Sequence, residues 1–224
     1  MNCAPLLIKP VPDPVVALAL SNLRAAVRAG PTPEWASEEW LRVLVLASAR
    51  VHLLTRTLGA VFRWGPANRT NVTVWIDLNR ESAVKQSHVV HVVHECERRA
   101  QQKYETVVFQ RHEGTRSMWL AALHLPGPLL ILEDDVVVQE GAYQWYRYAL
   151  RAMAANPDIA GASLTPQITV AGNAARNRNA ILKQGQPFLY PLVGSHGFIL
   201  SPHYRPILLD FLEHRPAARS VRLD

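Results

Sequence analysis

The chain has 224 residues, 49% of them hydrophobic and 19% charged, which is enough apolar material for one sizeable core in a single domain. Its formal net charge of +6 comes mostly from arginines spread along the chain and favours an anionic ligand, but no basic run interleaved with aromatic residues points to nucleic acid. Two cysteines, Cys3 and Cys96, are too few for the disulfide framework of a small secreted domain and leave the compartment open.

The first forty residues are rich in proline and carry one short helical pattern, Pro14 to Ala29, so we predict a lead-in over 1–40 and one domain over 41–224. The apolar stretch Val15 to Leu20 is too short to cross a bilayer and lacks a basic flank, which predicts neither a membrane span nor a signal peptide. Glycosylation sequons at Asn68 and Asn71 favour a secretory lumen such as the Golgi, with the cytoplasm as the alternative.

From residue 41 onward, β-like and helical patterns alternate, as is typical of an α/β domain with a mostly parallel sheet flanked by helices. The predicted strands are Leu41 to Ala47, Val72 to Asp77, Glu105 to Gln110, Leu129 to Asp134 and Ile159 to Leu164. The predicted helices are Val51 to Phe62, Glu81 to Gln102, Thr115 to Leu123, Gly141 to Ala155 and His203 to Glu213. Between them, the long polar stretch Pro166 to Pro187 is predicted to be either a lid or disordered.

Polar side chains follow each of the first four predicted strands. They are Ser48 and Arg50, then Asp77 and Arg80, then Arg111 and Glu113, and finally Glu133, Asp134 and Asp135. Because ligands of open α/β sheets bind beyond the carboxyl ends of the strands, we expect these groups to converge on one edge of the sheet. Carboxylates there would suit a metal or a general base, and arginines would suit phosphates.

The acidic run Glu133 to Asp135 interrupts the apolar segment Pro128 to Val138 and is the most informative feature of the chain. In an extended strand Glu133 and Asp135 share one face, where at about 7 Å and an effective dielectric near 20 they repel by roughly 2–3 kcal/mol. A cation, a basic partner or a raised pKa offsets such repulsion. Hard oxygen ligands suit Mn²⁺ or Mg²⁺ with positions left open for phosphate, and a solvated acidic loop is the alternative.

These motifs together resemble the glycosyltransferases of the GT-A fold, particularly the group that includes N-acetylglucosaminyltransferase I and its plant and algal relatives. The similarity covers roughly residues 41–213 and is strongest in Leu130 to Val138, which resembles that family's variant of the Asp-x-Asp motif, and in the helix Tyr143 to Leu150. Also similar are Leu46 to Arg50, Val74 to Asp77, His112 to Leu120 and Gly194 to Phe198. The resemblance implies a GT-A-like, Rossmann-like single domain.

The same resemblance implies a metal-dependent transferase that moves a sugar from a nucleotide diphosphate sugar, expected to be a UDP-sugar, to an acceptor hydroxyl with inversion. Asp135 would coordinate Mn²⁺ or Mg²⁺ bound to the diphosphate. Glu133 and Asp134 would contact the sugar and the ribose, and Asp77 and Arg50 would contact the base. The acceptor would be a glycan, a glycoprotein or a small molecule.

The catalytic base of that family usually follows the small-residue stretch, and Asp210 is the candidate here. Because the sequence also ends where family members commonly continue, a degenerate or truncated nucleotide-sugar-binding domain without transfer activity is the first alternative. The second is a Mg²⁺-dependent phosphoryl-transfer or receiver-like domain. That class predicts an acidic pair after the first strand, where this chain has Ser48 to Arg50.

Overall fold

The computed structural model describes residues 21–22, 25–26, 30–37, 39–66, 69–77, 83–100, 104–109, 114–164 and 197–214. Its strands are β1 Leu41–Ala47, β2 Thr70–Asp77, β3 Tyr104–Phe109, β4 Leu130–Glu133, β5 Gly161–Ser163 and β6 Phe198–Leu200. Its α-helices are α1 Val51–Trp64, α2 Ala83–Ala100, α3 Gly114–Ala122, α4 Ala142–Ala155 and α5 Tyr204–His214, and a 3-10 turn covers Glu34–Ser37. The predicted polar stretch 166–187, most of the lead-in, and Arg80, Arg111 and Glu113 lie outside the described residues.

The six strands form one sheet in the order β3-β2-β1-β4-β6-β5. Neighbouring strands from β3 to β4 pair in parallel, while β6 runs antiparallel to both β4 and β5. The predicted alternation of strands and helices and the mostly parallel sheet are therefore confirmed. Among the described helices, none has the length and apolarity needed to cross a membrane.

Helices cover both faces of this sheet, which is why β1 has an almost continuous apolar sequence rather than an alternating one. On one face, α1 and α4 bury residues at helical spacing, among them Leu54, Leu58, Tyr146 and Leu150. On the other face, Met118 of α3 packs with residues of β1 and β4. The two layers of helices fix the sheet and hence the positions of the strand ends.

The carboxyl ends of the parallel strands lie side by side. Ala47 pairs with Ile76, Asp77 pairs with Phe109, and Leu46 pairs with Glu133. We call this side of the sheet the carboxyl edge. The expectation that these strand ends converge on one edge is confirmed for β1 to β4.

Candidate functional site

The acidic turn, Glu133 to Asp135, begins where β4 ends. The backbone N–H of Asp134 still donates to the carbonyl of Leu46 in β1, at 3.0 Å. The side chain of Asp134 is buried, and its Oδ2 accepts hydrogen bonds of 2.9 Å from both the backbone N–H and the hydroxyl of Ser48. Asp134 thus fastens the acidic turn to the segment that leads from β1 into α1.

Arg50, the residue before α1, bridges the two aspartates of the acidic turn. Its Nη1 donates to Oδ2 of Asp135 at 2.9 Å, and its Nη2 pairs with Oδ1 of Asp134. Burial alone would lower the pKa of Arg50, but the carboxylates of Asp134 and Asp135 outweigh that effect and raise it. The guanidinium therefore keeps its positive charge in the site.

This bridge corrects one part of the expected arrangement of the acids, the grouping of Glu133 with Asp135. Because β4 ends at Glu133, the strand alternation that would pair Glu133 with Asp135 stops there, and Asp134 and Asp135 are the residues that share a partner. The basic partner that can offset their repulsion is Arg50, supplied by the chain itself. Charge repulsion alone thus does not require a metal in this site.

Glu133 contacts α3 rather than α1. The indole Nε1–H of Trp119 donates to Oε1 of Glu133 at 3.4 Å, and the Glu133 side chain is partly exposed. Consecutive acids of the turn are therefore held by elements on opposite faces of the sheet, Glu133 by α3 and Asp134 by the start of α1. Of the three, Glu133 and Asp135 are the ones with exposed surface at the carboxyl edge.

Asp77 closes β2 and is 7% exposed. Its Oδ2 accepts a 3.0 Å hydrogen bond from the backbone N–H of Gly114, the first residue of α3. Gly114 has a φ of 76°, a left-handed conformation that glycine adopts without steric cost. A carboxylate at the start of a helix also interacts favourably with the helix dipole, so Asp77 fixes α3 against the carboxyl edge.

The carboxyl edge offers an exposed carboxylate rather than a preformed ion site among the described residues. Within the described ranges, no three His, Cys, Asp or Glu side chains form a group that could hold a metal ion. Asp135 offers a side chain that is 35% exposed, with one oxygen bonded to Arg50. An exposed carboxylate of this kind suits Mg²⁺-like ions, which proteins often hold through one or two carboxylates together with substrate phosphates.

Asp210, the candidate base, lies at an exposed position of α5. The first turn of that helix is anchored at the loop that precedes β4, because Arg205 donates to the carbonyls of Leu125 and Gly127. This loop is at the opposite edge of the sheet. The structure thus brings Arg50, Asp77 and the acidic turn to one edge and anchors the first turn of α5, five residues before Asp210, at the other.

Two contacting residues are not assigned a role by the sequence analysis, Ser48 and Trp119. Ser48 directly follows β1 and lies three residues before α1, a position where small hydroxyl side chains commonly bind backbone or carboxylate groups. That signal was available in the sequence. Trp119 has no such local signal, because its contact with Glu133 depends on how α3 packs across the sheet.

The expected fold class, a GT-A-like, mostly parallel α/β sheet flanked by helices, is confirmed by the sheet and by the likeness to a solved mannosyltransferase structure. No protein-family model matches the chain, and no curated protein matches its sequence. Among solved structures, the chain is similar to a mannosyltransferase, PcManGT from Pyrobaculum calidifontis, in complex with GDP-Man and Mn²⁺. The TM-score is 0.52 at 15% identity, over 87% of this chain and 54% of the other.

Weaker similarities involve two further structures. The glycosyltransferase GlyE of Streptococcus pneumoniae TIGR4 gives a TM-score of 0.44 at 9% identity, over 82% of this chain and 41% of the other. TarS 1-349 of S. aureus gives 0.36 at 13% identity, over 46% and 30%. The chain therefore spans about half or less of the length of these three structures, and the similarity concerns the fold.

Proposed function

We propose that this chain is a glycosyltransferase that uses a nucleotide diphosphate sugar. The observation that carries the proposal is the acidic turn, which Arg50 and Ser48 hold at the carboxyl edge. It occurs in a fold shared with a mannosyltransferase whose structure contains GDP-Man and Mn²⁺. In open α/β sheets this edge is where ligands bind.

Each side chain of the carboxyl edge has a proposed role. Asp135 would hold Mn²⁺ or Mg²⁺ together with the donor diphosphate, where the ion would supply a Lewis acid that neutralises the leaving group. Glu133 would contact the sugar, and Arg50 and Asp77 would contact the nucleotide base. Asp134 is proposed to lie next to the ribose, but its buried contacts favour a role through Ser48 and Arg50, which it orients.

The donor is proposed to be a UDP-sugar, on the resemblance of the acidic motif to the N-acetylglucosaminyltransferase I group. A GDP-sugar is the second candidate, since the mannosyltransferase of similar fold was solved with GDP-Man. The acceptor is proposed to be a hydroxyl of a glycan, a glycoprotein or a small molecule. Transfer would invert the anomeric centre, with one carboxylate removing the acceptor proton, and Asp210 is the candidate for this step.

The test is thermal unfolding with a panel of UDP- and GDP-sugars, each with Mn²⁺ and with excess chelator. A donor at 100 times its dissociation constant stabilises a protein by about 2.7 kcal/mol, which shifts the midpoint by several degrees. We expect such a shift for at least one nucleotide sugar in Mn²⁺ and none in chelator. No shift across the whole panel would contradict the proposal.

A nucleotide-sugar-binding domain without transfer activity is the second candidate function. The exposure of Asp210 favours it, because Asp210 lies on the solvent side of α5, a helix whose first turn is anchored at the edge opposite the acidic turn. This candidate predicts the same donor-dependent stabilisation but no product. Measuring donor binding and product formation on one preparation separates the two.

A further inference from the structure

Trp119 stands where three parts of the fold meet. Its ring packs against the cluster that contains Met118 and Ile131, and also against a smaller cluster under α5 that contains Leu123 and Phe198. The centroids of the Trp119 and Phe198 rings are 6.2 Å apart with the planes tilted by 47°. Packing on both sides leaves the ring little rotational freedom, so the direction of its N–H bond is fixed.

The indole N–H of Trp119 donates a hydrogen bond to the carboxylate of Glu133. An indole has one hydrogen-bond donor and no acceptor, and a carboxylate oxygen accepts, so in this contact Trp119 is the donor and Glu133 the acceptor. Trp119 lies in α3, the same helix whose first backbone N–H is held by Asp77. Helix α3 is therefore attached to two acids of the carboxyl edge, one at the end of β2 and one at the end of β4.

We propose that Trp119 is a positioning residue that orients the carboxylate of Glu133 for recognition of the donor's sugar ring. This inference rests on the proposed function. Glu133 accepts hydrogen bonds from sugar hydroxyls, and the indole of Trp119 fixes which hydroxyl it can reach. Trp119 and Glu133 thereby determine which hexose is accepted, whereas Asp77 and Arg50 contact the nucleotide base.

The substitution that isolates this role is Trp119→Phe, because it removes the N–H and keeps an aromatic ring against Phe198. The probes are UDP, GDP, UDP-N-acetylglucosamine, UDP-glucose and GDP-mannose, measured with Mn²⁺ by calorimetry. We expect the affinity for the best-bound nucleotide sugar to fall about 10-fold, the scale of one hydrogen bond to a charged group, and that for the free nucleotide to change by less than about 2-fold. Trp145→Phe in α4 is the matched control, since Trp145 packs against the large core cluster on the other face.

A double-mutant cycle then tests whether Trp119 acts through Glu133. If it does, Trp119→Phe in a Glu133→Gln background should weaken the nucleotide sugar by less than about 2-fold, because the carboxylate that it orients is already gone. Equal losses in both backgrounds would overturn the proposal. Equal weakening of the free nucleotide and the nucleotide sugar would also overturn it, because that pattern indicates a purely structural role.

A measurement on the unsubstituted ring covers the case in which Trp119→Phe does not fold. The indole N–H resonance of Trp119 should shift when the nucleotide sugar binds and stay in place when the nucleotide alone binds, and Glu133→Gln should abolish that shift. An identical response to both ligands would refute the inference. If the wild-type chain binds nucleotides but no sugar conjugate better than the nucleotide, the inference fails alone; if it binds neither, the proposed function fails and the inference falls with it.

Discussion

The hydroxyl of Thr57 in α1 donates a 2.8 Å hydrogen bond to the backbone carbonyl of Asp134, and both residues have relative exposures of 0%. Because β4 ends one residue earlier, this carbonyl lies beyond the strand and needs another donor in a region without water. Thr57 supplies it from the centre of the helix that Arg50 precedes. The acidic turn is therefore bound on its buried side by Thr57 of α1 and on its solvent side by Arg50.

Thr57→Val should remove this donor with little change in shape and leave the Asp134 carbonyl buried and unsatisfied. We expect the free energy of unfolding to fall by about 1–3 kcal/mol, the cost of an unpaired buried polar group. The control is Thr55→Val, because the Thr55 hydroxyl bonds the carbonyl of Val51 within the same helix at 2.9 Å and is only partly buried. Urea unfolding measures both variants. Equal losses of unfolding free energy would show that the hydrogen bond from Thr57 to Asp134 stabilises the protein no more than a hydrogen bond within the helix.

Most element bounds are predictable from the sequence within about two residues because the apolar periodicities are strong, as in β1 and α1. At two strand ends the periodicity extends past the strand, because a local turn replaces it there. Predicted β4 includes Asp134, but that residue turns toward Ser48. Predicted β5 begins at Ile159, whose backbone N–H instead bonds the carbonyl of Asn156 in the turn after α4.

The site is predictable only in part, because its contacts join residues distant in sequence. Alternating patterns place polar groups at strand ends, and the parallel fold then brings them to one edge. They do not reveal that β1 lies between β2 and β4, which is what puts Arg50 against Asp134 and Asp135, about 85 positions away. Repulsion between acids could be recognised from the sequence, but the identity of the balancing cation depends on this strand order.

Arg50→Gln should destabilise the protein and make it responsive to Mn²⁺ alone. The substitution leaves Asp134, whose side chain is 1% exposed, with the two donors of Ser48 and no cation. Since Arg50 itself is 46% exposed, we expect a loss of about 1–3 kcal/mol, below the cost of breaking a fully buried pair. Mn²⁺ without nucleotide should recover part of that loss.

Thermal unfolding in Mn²⁺ and in chelator measures both effects. Arg56→Gln serves as the control, because Arg56 is an exposed residue of the same helix. Arg50→Lys should give an intermediate result, since an ammonium keeps the charge but lacks the planar fork that bridges two carboxylates. If Arg50→Gln left the free energy of unfolding unchanged, the bridge of Arg50 to Asp134 and Asp135 would not stabilise the protein as proposed.

Asp135→Asn should abolish Mn²⁺-dependent binding of the nucleotide sugar while the fold persists. Asp135 is partly exposed and its loss leaves the bond between Arg50 and Asp134 in place, so the free energy of unfolding should change by less than about 1 kcal/mol. Glu140→Gln removes a nearby exposed charge and should leave binding unchanged. Calorimetry that gives wild-type donor affinity for Asp135→Asn, or equal affinities in Mn²⁺ and chelator, would refute the assignment of Asp135 to the metal.

Two substitutions of Asp77 separate its structural contact from its proposed contact with the base. Asp77→Ala removes the acceptor for the Gly114 N–H and should cost about 1 kcal/mol, the usual value of a helix N-terminal cap. Asp77→Asn keeps an acceptor oxygen and should retain most of that stability. Both should weaken the free nucleotide and the nucleotide sugar by the same factor; a loss confined to the sugar conjugate would reassign Asp77 to the sugar.

We expect this chain to bind a donor better than it transfers the sugar. The donor side of the proposed site is assembled at the carboxyl edge by Arg50, Asp77 and the acidic turn, whereas Asp210 is exposed on a helix whose first turn is anchored at the opposite edge. A missing general base typically costs about 10²–10⁴-fold in rate, and donor binding does not need one. Donor affinity and product formation should therefore be measured on one preparation of the wild type and of Asp210→Asn. Rapid turnover to an inverted product that collapses in Asp210→Asn would overturn the prediction and establish Asp210 as the base, whereas rapid turnover untouched by that substitution would place the base elsewhere.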